Sequence, residues 1–139
     1  MITFLPVSAD ESAASIQIEK PWARASIIQS RPAAAYLTIV NRGNKPDRLV
    51  SISSPIAGKV SIHLSEMTNG VMRMSPMHGL AIEAGARATF RPGGLHLMLM
   101  KLRTPLRNGD KLPLTLSFEV AGKIEVQAHI LGPGAKGPK

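Results

Sequence analysis

Residues 59–77 read Lys59-Val60-Ser61-Ile62-His63-Leu64-Ser65-Glu66-Met67-Thr68-Asn69-Gly70-Val71-Met72-Arg73-Met74-Ser75-Pro76-Met77. Two runs of alternating character flank Asn69-Gly70. Both of these residues tolerate positive φ, so the pair favours a two-residue type I′ hairpin turn. That turn sets the register: Thr68 opposite Val71, Met67 opposite Met72, Glu66 opposite Arg73 and Ser65 opposite Met74. His63 then shares a face with Met74 and is its diagonal neighbour, roughly 7–8 Å away at the backbone. Glu66 and Arg73 fall on the other face as a favourable cross-strand charge pair, which supports the register. Glu66 therefore faces away from His63. A one-residue change in the loop would reverse every one of these assignments.

Working outward, the same period-two pattern recurs in short runs, and no long amphipathic helix interrupts it. Expected strands are Ser15–Ile18, Ala35–Val40, Arg48–Ser53, Lys59–Met67, Val71–Met77, Ala86–Arg91, His96–Leu102, Leu112–Glu119 and Lys123–Ile130. Turn residues separate them at 41–46, 92–94, 108–110 and 121–122, and the segment 30–34 around Pro32 reads as a loop. Many short strands at this spacing predict an all-β, Greek-key β-sandwich. The domain is expected over residues 15–131. Residues 132–139 form a Gly/Pro/Lys tail expected to be flexible. Residues 1–14 are short and apolar at first, then small (Val7-Ser8-Ala9), then acidic (Asp10-Glu11), which reads as the remnant of a secretory signal.

In His96-Leu97-Met98-Leu99-Met100 the alternation places His96, Met98 and Met100 on one face and Leu97 and Leu99 on the other, toward the core. One hairpin thus offers an imidazole and a thioether, and a second strand offers another of each. Met is ordinarily an adaptable core filler, and a lone His on a sheet face is ordinarily a hydrogen-bonded structural residue. Six of the seven Met, however, gather on or next to the two His-bearing strands.

Composition narrows the remaining chemistry. The 139 residues fit one domain, and 44% hydrophobic with 19% charged residues is an ordinary globular balance. No apolar run is long enough to span a bilayer as a helix. The formal charge of +8 attracts polyanions or acidic partners, but only 4% of residues are aromatic, so there are few rings on which to stack bases and no nucleic-acid partner is expected. The absence of Cys excludes disulfides, thiolate sites and a blue-copper centre. Pro92-Gly93-Gly94 precedes no helix and is a turn, not a phosphate loop. Ser61 beside His63 lacks the acid and the elbow of a hydrolase triad.

Two imidazoles and two thioethers are soft, neutral ligands that suit Cu(I) better than Zn(II). A four-ligand set of His63, Met74, His96 and Met98 leaves no position for substrate, which implies carriage of the ion and no enzymatic step. Met72, Met77 and Met100 are expected to form a sulfur-rich rim. His78 and His129 are weaker candidates.

At these residues the sequence resembles the periplasmic PCu(A)C copper chaperones. Their signature is His, ten residues, Met, twenty-one residues, His, one residue, Met. His63, Met74, His96 and Met98 stand at those separations. Pro21-Trp22-Ala23-Arg24, Ala34-Ala35-Tyr36-Leu37, Gly70-Val71-Met72-Arg73-Met74 and Pro92-Gly93-Gly94-Leu95-His96-Leu97-Met98-Leu99 also look like the family, and the resemblance runs from about Ile16 to Ile130. It implies a cupredoxin-like β-sandwich, one Cu(I) per chain on the four residues, and a location in the bacterial periplasm or otherwise outside the cytoplasm. It also implies delivery to the CuA centre of cytochrome c oxidase, with a Sco-type protein as a further partner, by a chain expected to act as a monomer. Some relatives carry a His/Met-rich C-terminal extension that binds Cu(II). Residues 132–139 contain neither His nor Met, so the resemblance does not reach that second site. Two other readings stay open on the residues alone: a copper storage or resistance protein, and a β-sandwich interaction module whose His and Met are structural.

Overall fold

The computed structural model describes residues 15–28, 30–132 and 134–137. The segment read as a signal remnant, 1–14, lies outside the described residues. Ten strands occur among them: β1 (Ile16–Arg24), β2 (Ala33–Asn41), β3 (Asp47–Ser54), β4 (Ala57–Thr68), β5 (Val71–Met77), β6 (Leu80–Ile82), β7 (Arg87–Thr89), β8 (Leu95–Leu102), β9 (Lys111–Phe118) and β10 (Gly122–Leu131). Neighbours run β4–β8–β2–β1–β10–β9–β3, and β3 pairs back onto β4, so the sandwich closes on itself like a barrel. Closure leaves the main strands without free edges. β5 extends outward from β4, β6 from β3 and β7 from β2. The β1–β10 pairing is parallel, and the other strand pairings are antiparallel. No helix among the described residues is long and apolar enough to cross a membrane.

The period-two reading explains the core. Leu112, Leu114, Leu116 and Phe118 of β9 point inward, as do Leu97, Leu99 and Leu102 of β8. Each fully buried Leu contributes about 1.5–3 kcal/mol through loss of contact with water. β2 reads as a nearly continuous apolar run because both of its faces are covered.

The differences from expectation have local causes. β1 continues to Arg24, six residues beyond the expected end, because a bulge between Glu19 and Trp22 resets the pleat. Lys20 has φ of 47° there, and Pro21 follows in the irregularity, where the missing N–H is tolerated. The alternation is broken at that point, so the second half is not visible as part of one strand. β2 begins at Ala33, inside the expected loop, and pairs Ala33–Ala35 with Leu97–Leu99. β6 has three residues, too few to show a period, and exists by pairing with β3. The strand expected over Ala86–Arg91 is confined to Arg87–Thr89. Beyond β10, Ala135 packs against the core and its carbonyl accepts a hydrogen bond from Arg24 Nε at 2.9 Å.

One buried charge helps hold the sandwich. The Asp47 carboxylate at the start of β3 accepts from the backbone amides of Arg48 (2.7 Å), Val120 (2.8 Å) and Ala121 (3.0 Å). It thereby ties β3 to the β9–β10 turn. Such charge-assisted bonds to backbone amides offset the cost of removing a carboxylate from water.

Candidate metal centre

The β4–β5 hairpin forms as its turn residues require. Asn69 has φ of 51° and Gly70 φ of 78°, and the register pairs Thr68 with Val71, Met67 with Met72, Glu66 with Arg73 and Ser65 with Met74. His63 lies opposite Pro76 and diagonal to Met74 on one face. Glu66 falls on the other.

The next strand inward is β8. It lies antiparallel to β4 in the same sheet, with His63 opposite His96 and Ser61 opposite Met98. The two imidazoles stack with ring centroids 5.8 Å apart and planes inclined by 27°. His63, Met74, His96 and Met98 therefore share one face of three adjacent strands, β5–β4–β8. Leu97 and Leu99, on the opposite face, anchor β8 in the core.

Met74, His96 and Met98 line a shallow cleft of about 230 Å³, walled by Arg24, Tyr36 and the Pro92-Gly93 turn. His63 sits beside this cleft and does not line it. Trp22 and Tyr36 pack with centroids 4.5 Å apart, and the Arg24 guanidinium lies 5.7 Å from the Tyr36 ring centre, which makes one wall rigid and aromatic. Burial raises the Tyr36 phenol above its ordinary value, against a smaller opposing effect of Arg24, so it stays protonated. His96 is only 6% exposed, whereas Met74 is 53% exposed. Within the cluster His96 is therefore buried, His63 and Met98 are half-buried, and Met74 is open to solvent.

Hydrogen bonding sorts the ring nitrogens. His96 Nδ1 is 3.0 Å from the Gly94 carbonyl, which can only accept. Nδ1 must carry a proton, so in the neutral ring Nε2 is the nitrogen with the free lone pair. His63 Nε2 lies 3.0 Å from Ser61 Oγ, and His63 Nδ1 is buried without a partner. An unpartnered buried nitrogen costs about 1–3 kcal/mol. With the proton on Nε2, donated to Ser61 Oγ, Nδ1 is a second bare lone pair. Burial, then the neighbouring His96, then Lys59, lowers the His63 pKa, so the neutral ring is favoured. Ligand imidazoles commonly use one ring nitrogen for such an orienting bond and the other for the metal.

Among the described residues, no group of three His, Cys, Asp or Glu side chains is placed to hold a metal. An ion held on this face would need the thioethers. His78 is exposed between β5 and β6, and its backbone carbonyl accepts from Arg48. His129 is exposed on β10, opposite Trp22, away from β4 and β8. Neither joins the cluster. Of the expected rim, Met72 and Met100 lie on the site's face. Met77 pairs with Ile62, faces the opposite way and packs against the core. Sequence reasoning misses the hydrogen bonds that hold His63 to Ser61 and His96 to the Gly94 carbonyl. Ser61, two residues before His63, was legible by parity, but the Gly94 contact depends on how the turn folds.

A family model described as "Putative lipoprotein LpqE-like" matches residues 16–130. "Putative lipoprotein Lxx21020" of Leifsonia xyli subsp. xyli (strain CTCB07) is 34% identical over 118 residues, covering 82% of this chain and 70% of that protein. "Uncharacterized protein RP573" of Rickettsia prowazekii (strain Madrid E) is 33% identical over 110 residues, covering 76% of this chain but only 61% of that protein. Among solved structures, the copper-bound PCuAC domain from PmoF2 superposes with a TM-score of 0.73 at 28% identity, covering 86% of this chain and 94% of that one. The solution structure of CuI-DR1885 from Deinococcus radiodurans gives a TM-score of 0.62 at 26% identity, with 94% and 89% covered. The fold is thus the cupredoxin-like β-sandwich of the PCuAC domains. With the family model covering most of the chain, and relatives above 30% identity, this chain belongs to the LpqE-like family.

Proposed function

We propose that this chain is a Cu(I) carrier that binds one ion through His63, Met74, His96 and Met98 and passes it to another copper protein outside the cytoplasm. The observation that carries this reading is the pair of ring nitrogens left open, His63 Nδ1 and His96 Nε2, on one face with two thioethers. Their softness and neutrality suit Cu(I). The copper-bound PmoF2 domain shares the fold and supports copper here, and CuI-DR1885 supports its Cu(I) state. The lipoprotein descriptions of the family and of the Leifsonia relative support the location. The recipient we favour, from the family resemblance, is the CuA centre of cytochrome c oxidase, with a Sco-type protein as a further partner.

The exposure of Met74 favours transfer over storage. An incoming donor can reach the ion from that side and displace the ligands one at a time, whereas a store gains by burying all of them. Ser61 Oγ lies beside His63 Nε2, but His63 Nδ1 has no carboxylate to orient the ring, so the pair lacks the third member of a hydrolase triad, and we read the chain as a carrier.

Anaerobic titration of the apo protein against a chromogenic Cu(I) chelator tests the reading, alongside His63→Ala and Met98→Ala. One tight equivalent that weakens sharply in both variants is the expected result. No competition with the chelator, or no effect of either substitution, would return the His and Met cluster to a structural role.

A further inference from the structure

The β4–β8 pairing ends at Leu64–Leu95, while the β4–β5 hairpin runs on to Thr68–Val71. The hairpin therefore projects beyond the body of the sandwich. On its projecting part, Met67 and Met72 are direct cross-strand partners on the same face as Met74. All three are open to solvent, at 64%, 54% and 53%. Packing does not account for them. Scattered exposed Met would need no explanation. Here, three thioethers occupy one face in consecutive register, ending on a residue of the inner site.

We propose that Met67, Met72 and Met74 form an outer Cu(I) station at which the ion first binds before it moves inward, with Met74 common to both sites. The proposal rests on the Cu(I) reading of the inner four residues. Directly opposed side chains on a sheet have Cβ atoms about 4.5–5.5 Å apart, and diagonal neighbours lie about 7–8 Å apart at the backbone. A Met side chain has three rotatable bonds beyond its backbone, so three sulfurs at these separations can converge on one soft ion. Thioethers bind without deprotonation, and an all-sulfur, solvent-open station holds Cu(I) more loosely than a site that adds two imidazoles. The gradient of affinity therefore runs inward. The transfer is a ligand exchange: the sulfurs of Met67 and Met72 leave as His63 Nδ1, His96 Nε2 and the Met98 sulfur bind, and Met74 stays coordinated throughout. Copper remains Cu(I), no electron moves, and neutral imidazoles release no proton.

The test uses Met67→Leu/Met72→Leu, a volume-conserving change at exposed positions that the fold tolerates. Equilibrium competition should still give one tight equivalent, which also reports an intact fold. Stopped-flow uptake from a Cu(I)–chelator complex should slow about tenfold, equivalent to about 1.4 kcal/mol on the barrier to entry. In a His63→Ala/His96→Ala background, anaerobic Cu(I) should shift the methyl NMR signals of Met67, Met72 and Met74 together, and the added Leu substitutions should abolish the shift at Met74. Uptake at the wild-type rate in the Leu double variant, or unmoved Met67 and Met72 signals, would overturn the outer station while leaving the inner site standing. Absence of a tight equivalent in the wild type would overturn the carrier reading itself, and this inference with it.

Discussion

His63 and His96 face each other directly across the β4–β8 pair, with ring centroids 5.8 Å apart. At that spacing two imidazolium ions would repel, and burial adds a further penalty on charge at His63. The arrangement favours the neutral His63 ring, the state in which imidazole binds a metal.

A pH dependence of stability follows. The folded chain holds the His63 pKa below the value near 6.5 that it takes when unfolded. Between those two values the unfolded chain binds more protons, so stability rises with pH. The His63 contribution is fully present above about pH 6.5 and is lost as pH falls through the folded pKa. Denaturant midpoints of the apo protein should fall over that acid range, and His63→Gln should flatten the slope. An identical slope in both proteins would show that His63 is not the titrating group.

Ser61 is predicted to orient His63. Ser61→Ala removes the partner of Nε2 and should weaken Cu(I) binding about tenfold or more, while Ser61→Thr, which keeps a hydroxyl, should restore most of it. Chelator competition on both variants measures this. Equal affinity for Ser61→Ala and wild type would leave the serine without an orienting role.

Copper loading should stabilise the fold by mass action. With free Cu(I) at about 100 times its dissociation constant, the gain is about 2.7 kcal/mol. Anaerobic thermal scans should show a rise in Tm on loading and its reversal by a strong Cu(I) chelator, with little change in Met98→Ala at the same free copper. A rise of equal size in that variant would place the stabilising copper elsewhere.

Asp47→Ala is expected to destabilise the sandwich by about 3 kcal/mol, because three backbone amides lose a buried charged acceptor. Urea unfolding gives the number. A cost under about 0.5 kcal/mol, in the range of an ordinary surface substitution, would mean that water replaces the carboxylate.

How much of this was legible in the sequence depends on distance along the chain. The placement of His63 on the face of Met74, and of Glu66 away from it, follows from Asn69-Gly70 and the pleat. Both are local properties of some twenty residues, and the observed register agrees pair by pair. The sorting of His96 and Met98 from Leu97 and Leu99 is local in the same way. The bond that His96 Nδ1 donates to the Gly94 carbonyl, the bulge that carries β1 to Arg24, and the amides that meet Asp47 left no such trace, because each depends on backbone paths that no alternation records.

By itself, then, the sequence determined an all-β chain, the facing of each candidate ligand and a soft, thiol-free donor set. Only the tertiary structure decided that β8 lies beside β4, with His96 opposite His63, and that β2 and β1 bring Tyr36 and Arg24 to the rim. Turn chemistry and pleat act between near neighbours. The choice of partner for β4 closes a long loop, and it is made by the fit of Leu97, Leu99 and Ile62 into one shared core, a property of the whole chain at once.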